Sequence, residues 1–289
     1  MRRFFLFLIC LFLLVIIAFL VWLVIPDQFF ASPNRIGVIE VRGVIDNVQD
    51  TLKAFKEFRK DPNVKSILVR IESPGGGIGA SQELYREIRR TIEEKPVVAS
   101  LGGIAASGGY YAASAANRIV ANPGTITGSI GVISYFPNLR ELLDKIGISA
   151  TVIKSGRFKD TGNPDREMTQ EEKDLLQETM DQAHRQFIRD VARGRNLPEE
   201  KVREIADGRI IMGETAQQLG LVDELGNFED AVKASALLGK IEGEPDLTYA
   251  KKKKHSLLDL LIGSEISEQI DGYVNGSLNF LRYQAPYSP

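Results

Sequence analysis

The chain has 289 residues, a formal net charge of −2, 44% hydrophobic residues and 26% charged ones. These are the proportions of a globular protein, and the charge balance excludes a global basic field for nucleic acid. One cysteine and two histidines exclude an intramolecular disulfide and a cysteine-ligated metal site, and leave little for histidine-based chemistry.

Residues 4–25 form an apolar run of 22 residues without a charge. At 1.5 Å per residue such a helix spans roughly 33 Å, enough for the hydrocarbon core of a bilayer. Arg2 and Arg3 precede it, and Pro26 and Asp27 follow. The positive-inside rule puts the N-terminus in the cytoplasm and the rest of the chain outside. A cleaved signal peptide would have an apolar core of only roughly 7–15 residues and a small-residue cleavage site, which is absent here. Cys10 lies inside the run behind Ile9, a poor setting for lipid attachment. The expected organisation is an anchor over residues 1–26, a folded domain over 27–240 and an extension over 241–289.

Beyond a short linker, residues 35–41 (RIGVIEV) read as a buried strand. Residues 46–60 have helical spacing, and Asp61-Pro62-Asn63 ends them. A second strand, 66–71 (SILVRI), runs into Ser73-Pro74-Gly75-Gly76-Gly77, and a helix follows over 80–94. A third strand, 96–101, runs into the small-residue stretch 102–109 and a helix over 110–116. Residues 118–121 and 150–153 are further expected strands, 125–134 a loop or strand, and 140–146 a helix. A long helix starts near Thr169, with Glu171 and Glu172 in its first turn as a capping signal. Strands alternating with helices mean an α/β fold with largely parallel strands. The pattern fades from about residue 241, and the cluster Lys251–Lys254 reads as a solvated tail.

The two histidines, His184 and His255, fall in the long helix and in the tail. Neither sits on a strand-end loop where it could serve a serine as base. Neither glycine-rich stretch continues into Lys-Ser/Thr, so neither is a phosphate loop. What the glycine stretches do offer is bare backbone N–H groups at strand ends, able to donate to an oxyanion or an extended peptide. Ser107, flanked by Ala105, Ala106, Gly108 and Gly109, stands in a turn where a carbonyl could approach closely. The same small residues also suit a tight helix–strand packing turn, and composition does not separate the two readings. A serine without histidine needs another base, and a lysine serves when its amine is neutral. Lys159, in a loop of Gly, Asn and Pro, is one candidate among many lysines.

Four segments occur together: SPGGG at 73–77, GGIAASGGYYA at 102–112, TGSIGV at 127–132 and KSGRFKDTGNPDREMT at 154–169. In order and spacing, over residues 35–240, they resemble the signal peptide peptidase A family in its short bacterial form. The resemblance implies a Clp protease/crotonase-like fold of stacked βαβ units, preceded by one transmembrane helix. It implies Ser107 as nucleophile, Lys159 as general base and Ser129 as the residue orienting the lysine. It also implies an oxyanion hole from the N–H groups of Gly75 and Gly108, with Gly76 and Gly77 lining the peptide groove, and no metal or cofactor. The substrates implied are remnant signal peptides in the membrane. The family forms rings or domes in which the serine and lysine of one site can come from neighbouring subunits. A neutral lysine base implies activity rising at alkaline pH. Three other readings stand beside this one: a crotonase-type acyl-CoA enzyme, a membrane-tethered scaffold without activity, and a Ser-Lys peptidase for one specific membrane protein.

Overall fold

Hydrophobic alternation along four strands decides the architecture. In the computed structural model, which describes residues 12, 14–16, 34–251 and 282–284, these are β1 (Arg35–Arg42), β2 (Val64–Ser73), β4 (Val97–Ala105) and β5 (Arg118–Ala121). Ile39, Val41, Ile67, Val69, Ile71, Val97, Ala99, Leu101, Ile119 and Ala121 point into one core, and Ile36, Val38, Leu68, Val98 and Val120 into the other. Side chains alternate along a strand with period two, so a sheet apolar at both parities must be covered on both faces. The larger core lies under α1 (Gln49–Lys60), α2 (Ile78–Thr91), α3 (Gly108–Ala113) and α5 (Gln170–Arg195), and the smaller under α8 (Phe228–Leu238). The layers are helix, sheet, helix.

The strands run parallel in the order β9 (Asp246–Tyr249), β1, β2, β4, β5, β8 (Glu224–Leu225). A second ribbon leaves the far end of β4, where β6 (Ile126–Gly128) pairs parallel with β4 and antiparallel with β7 (Ile210–Met212). The three-residue strand β3 (Gly75–Gly77) continues β2 beyond Pro74. The remaining elements are α4 (Arg140–Lys145), α6 (Glu199–Ile205), α7 (Gly213–Gln218) and β10 (Arg282–Gln284). This is the expected α/β architecture, with a mixed sheet. The expected apolar membrane run lies almost wholly outside the described residues, as does most of the chain after Lys251. No helix among the described residues is long and apolar enough to cross a membrane.

Two expectations change. Residues 150–153 are not a strand; they are irregular and exposed, because no neighbouring strand offers them a ladder. The sheet also continues past residue 240, since Asp246–Tyr249 pairs with β1 from Arg35 to Val38. Its pairing is non-local, so local pattern did not announce it. The long helix starts as expected: the Thr169 hydroxyl accepts from Glu172 N–H, and Glu172 accepts in return from Thr169 N–H.

Candidate active site

Two parallel strands deliver the glycine loops to the same sheet end. β2 ends at Ser73 and β4 at Ala105, and Ala106 N–H donates to the Ser73 carbonyl at 3.0 Å. Ser107 is the next residue, immediately before α3, and takes φ 50° and ψ −117°. A side-chain-bearing residue pays strain at positive φ, and such strain concentrates at functional turns. Neighbours hold it there. Ser107 N–H donates to the Gly128 carbonyl at 2.8 Å, and its own carbonyl accepts from Tyr111 N–H at 2.8 Å. The Thr127 hydroxyl donates to the Ala105 carbonyl at 2.7 Å, and the Thr125 hydroxyl to Gly102 at 2.7 Å. Gly109 allows this close approach, since a Cβ there would stand 2.9 Å from the Ser73 carbonyl oxygen.

Ser107 is fully buried, and its Oγ has no hydrogen-bond partner among the described residues. A buried hydroxyl ordinarily finds one, so an orphan requires an explanation. Ser129 lies beside it through the Ser107–Gly128 bond. It too has φ 50°, is buried, and donates its N–H to the Arg209 carbonyl at 2.8 Å. The structure therefore brings together Ser107, Ser129, Gly108 and the glycine strand.

The glycine strand has two different sides. Gly77 N–H donates to Ile45 O and Ile45 N–H to Gly75 O, both at 2.9 Å. By alternation, the N–H and C=O of Gly76 face the other way. There β10 pairs antiparallel, Tyr283 opposite Gly76, Arg282 opposite Gly77 and Gln284 opposite Gly75. A Cβ on Gly76 would stand 2.3 Å from the Ile45 oxygen, so only glycine lets this edge pass so close. The N–H of Gly75 donates to Ser73 Oγ at 3.1 Å. It would have to leave that hydroxyl to reach an oxyanion, whereas Gly108, as the first residue of its helix, has no carbonyl of its own helix to serve. Sequence reasoning passed over Ser73; its signal was a hydroxyl two residues ahead of the first glycine.

Lys159 stands elsewhere. Its side chain is exposed, and it makes no hydrogen bond to Ser107 Oγ within this chain. Its loop is nevertheless built. Arg166 donates to Asp160 at 3.0 Å and to Glu172 at 2.5 Å, and Lys154 pairs with the other oxygen of Asp160. Hydrogen bonds from Arg166, and then from Lys154, hold the Asp160 carboxyl well below the ordinary carboxylate range. Arg166 and the Thr169 N–H hold Glu172 down at about 2. Both folded-state values are depressed, so this contribution is complete above about pH 4.5 and is lost as pH falls towards 2. With Lys159 as the expected base, Asp160→Asn should lower kcat roughly 10- to 100-fold with KM nearly unchanged, because it displaces the neighbouring lysine without touching the expected peptide groove. Steady-state kinetics checks the split; a raised KM with kcat unchanged would place Asp160 in binding instead.

The segment 131–168 that carries Lys159 exposes Ile133, Tyr135, Leu142, Ile146, Ile148, Val152 and Ile153. That is a large apolar surface for one chain in water.

Comparisons with known proteins give the family and the fold. The model of peptidase family S49 matches residues 89–242. A candidate protease of Synechocystis is 49% identical over 216 residues, covering 73% of this chain and 77% of the other. The chain belongs to peptidase family S49. A candidate signal peptide peptidase, SppA, of Enterococcus faecium is 34% identical over 252 residues, covering 82% of this chain and 73% of the other. Among solved structures, a mutant of the 1510-N membrane-bound stomatin-specific protease superposes with a TM-score of 0.51 at 16% identity. It covers 77% of this chain and 100% of that one, and at that identity it speaks for the shared fold alone. The family supplies the general chemistry, peptide-bond hydrolysis by an SppA-type peptidase.

Proposed function

We propose that this S49 peptidase is a membrane-anchored serine endopeptidase that cuts with Ser107 and Lys159 and clears remnant signal peptides. The observation that carries the reading is the orphaned, buried Ser107 Oγ on a strained turn beside a glycine edge that already accepts an added strand. Peptide substrates bind to such an edge through main-chain bonds, with the N–H and C=O of Gly76 as the partners here and Gly77 lining the groove beside them. In the assembled site the Lys159 amine takes the Ser107 proton, and Oγ attacks the scissile carbonyl. Gly108 N–H, joined by Gly75 N–H, donates to the oxyanion, a contribution typically worth about 3 kcal/mol per donor. The amine then gives its proton to the leaving nitrogen. Water, deprotonated by the same amine, releases the acyl group and restores Ser107. Ser129 orients the amine. No metal or cofactor enters these steps.

The base reaches Ser107 from a neighbouring copy. Exposed Lys159, unpartnered Ser107 and the apolar segment 131–168 support a homo-oligomer whose sites are shared between chains. The anchor over residues 1–26 puts the catalytic domain outside the cytoplasm and near the membrane that holds its apolar substrates.

The deciding experiment is cleavage of a synthetic signal-peptide segment by the full chain in neutral detergent, followed by mass spectrometry. Cuts within the apolar run are expected, and an intact peptide would overturn the reading. Removing residues 282–289 should lower KM for that peptide about tenfold without changing kcat, because a tethered segment competes at high effective concentration. An unchanged KM would mean that substrate binds elsewhere than on the Gly75–Gly77 edge.

A further inference from the structure

A second cavity lies between α2 and α5, away from the candidate active site. Its volume is about 490 Å³, and it is lined by Tyr85, Arg86, Arg89, Arg90, Glu93, Arg189, Asp190 and Arg193. That size falls in the range of small-molecule sites. Five guanidinium groups against two carboxylates make its wall strongly positive, on a chain whose net charge is −2.

The carboxylates neutralise that wall only in part. Asp190 accepts from the Tyr111 hydroxyl and stands 3.6 Å from Arg189. Arg90 is held by Glu87 at 2.7 Å, and Glu87 is shared with Arg59. Arg86, Arg89 and Arg193 form no ion pair among the described residues. Clustered guanidinium groups repel one another, and an anion seated among them is attracted by all of them. Arginine is the residue whose planar fork matches phosphate oxygens two at a time.

The floor is rigid. Tyr85 donates to the Asp190 carbonyl at 2.9 Å, and its ring lies 5.1 Å from that of Tyr111, itself 4.7 Å from Phe187. Arg89, Arg189 and Arg193 are all felt electrostatically at the Tyr85 phenol, although burial outweighs them and pushes it up. The guanidinium groups therefore converge on one wall.

Topology says which way this wall faces. The candidate active site is at the carboxyl ends of β2 and β4. The α2 helix leaves that end at Ile78 and runs back, so Arg89, Arg90 and Glu93 stand at the opposite end, where Arg35 opens β1. Nine residues, 26–34, separate Arg35 from the apolar run, a reach of at most about 32 Å. If that run spans the bilayer, as the proposed function has it, the arginine wall stands near the lipid headgroups.

We propose that this cavity binds a phosphate-bearing anion, supplied by the headgroup of an acidic phospholipid. The site would tie the domain to the membrane at a second point and set its tilt.

The test uses the full chain in neutral detergent and follows thermal unfolding. The probes are dihexanoyl phosphatidylglycerol, inorganic phosphate and dihexanoyl phosphatidylcholine. Saturable stabilisation is expected from phosphatidylglycerol, more weakly from phosphate, and not from phosphatidylcholine. Arg89→Gln with Arg193→Gln should weaken the phosphatidylglycerol affinity roughly tenfold or more, with Arg89→Lys and Arg193→Lys recovering only part. Stabilisation by phosphate alone would overturn the lipid source. Equal affinity in wild type and the glutamine variant, or equal response to phosphatidylcholine, would overturn the site itself. Peptide cleavage in the same detergent should be unchanged in the glutamine variant, so a failure here is distinguishable from a failure of the peptidase reading.

Discussion

Replacing Ser107 by alanine should reduce peptide cleavage by roughly 10⁴-fold or more while leaving the fold at full stability. The two halves of that expectation come from the same geometry. Ser107 Oγ makes no hydrogen bond among the described residues, so its removal strands no partner there, and unfolding should shift by less than about 1 kcal/mol. Ser107→Gly should go further, because glycine tolerates φ 50° without strain. It should stabilise the protein by about 1 kcal/mol and be equally inactive. A side chain that costs stability and holds nothing in place is explained by a reaction. Thermal unfolding and hydrolysis rates, measured on both variants, check it. Retained cleavage by either one would remove Ser107 as nucleophile. A large loss of stability in the alanine variant would make the turn a packing device, the competing reading that composition leaves open.

What was legible in the sequence follows from the range of the interactions involved. The strands 35–42, 64–73 and 118–121 could be read because their apolar residues are consecutive in sequence and buried on both faces. The Thr169–Glu172 cap could be read because both partners lie within one turn. β4 runs four residues beyond its expected end, through Gly102, Gly103, Ile104 and Ala105, since β2 and β6 supply ladders that glycine's weak strand preference does not advertise. Gly75–Gly77 is a strand for the same reason: Ile45 lies on one side and residues 282–284 on the other. Residues 150–153 show the converse, a β-rich tetrapeptide with nothing to pair with. In the candidate site, Ser107 was half legible from its small neighbours and the scarcity of histidine. Lys159 was not legible from its residues at all, because spacing along one chain does not choose among the lysines. The family motif picked it out, and the fold leaves it exposed.

Lys159→Ala should also be inactive, by roughly 10³-fold or more, yet an equimolar mixture of the two inactive chains should regain activity. Among the described residues Ser107 Oγ has no partner and Lys159 is exposed, the arrangement expected if, as proposed, the base comes from another copy. A ring built by a head-to-tail interface presents each serine to the lysine of one neighbour. In a randomly mixed ring half the sites keep Ser107, and about half of those face a neighbour that keeps Lys159, so about one quarter of the wild-type rate should return. The chains must be co-refolded or exchanged in detergent before assay, and size-exclusion chromatography shows that mixed rings have formed. If mixed rings form and the mixture stays inactive, each site takes both residues from one chain, and the segment 131–168 must then fold back onto Ser107 on assembly. The apolar side chains of that segment carry the same argument independently. Ile133, Tyr135, Leu142 and Ile153 are exposed in the isolated chain, and a charge at Ile153 or Tyr135 should weaken assembly and activity together. Their loss in parallel would identify the assembly, rather than the single chain, as the unit that cuts.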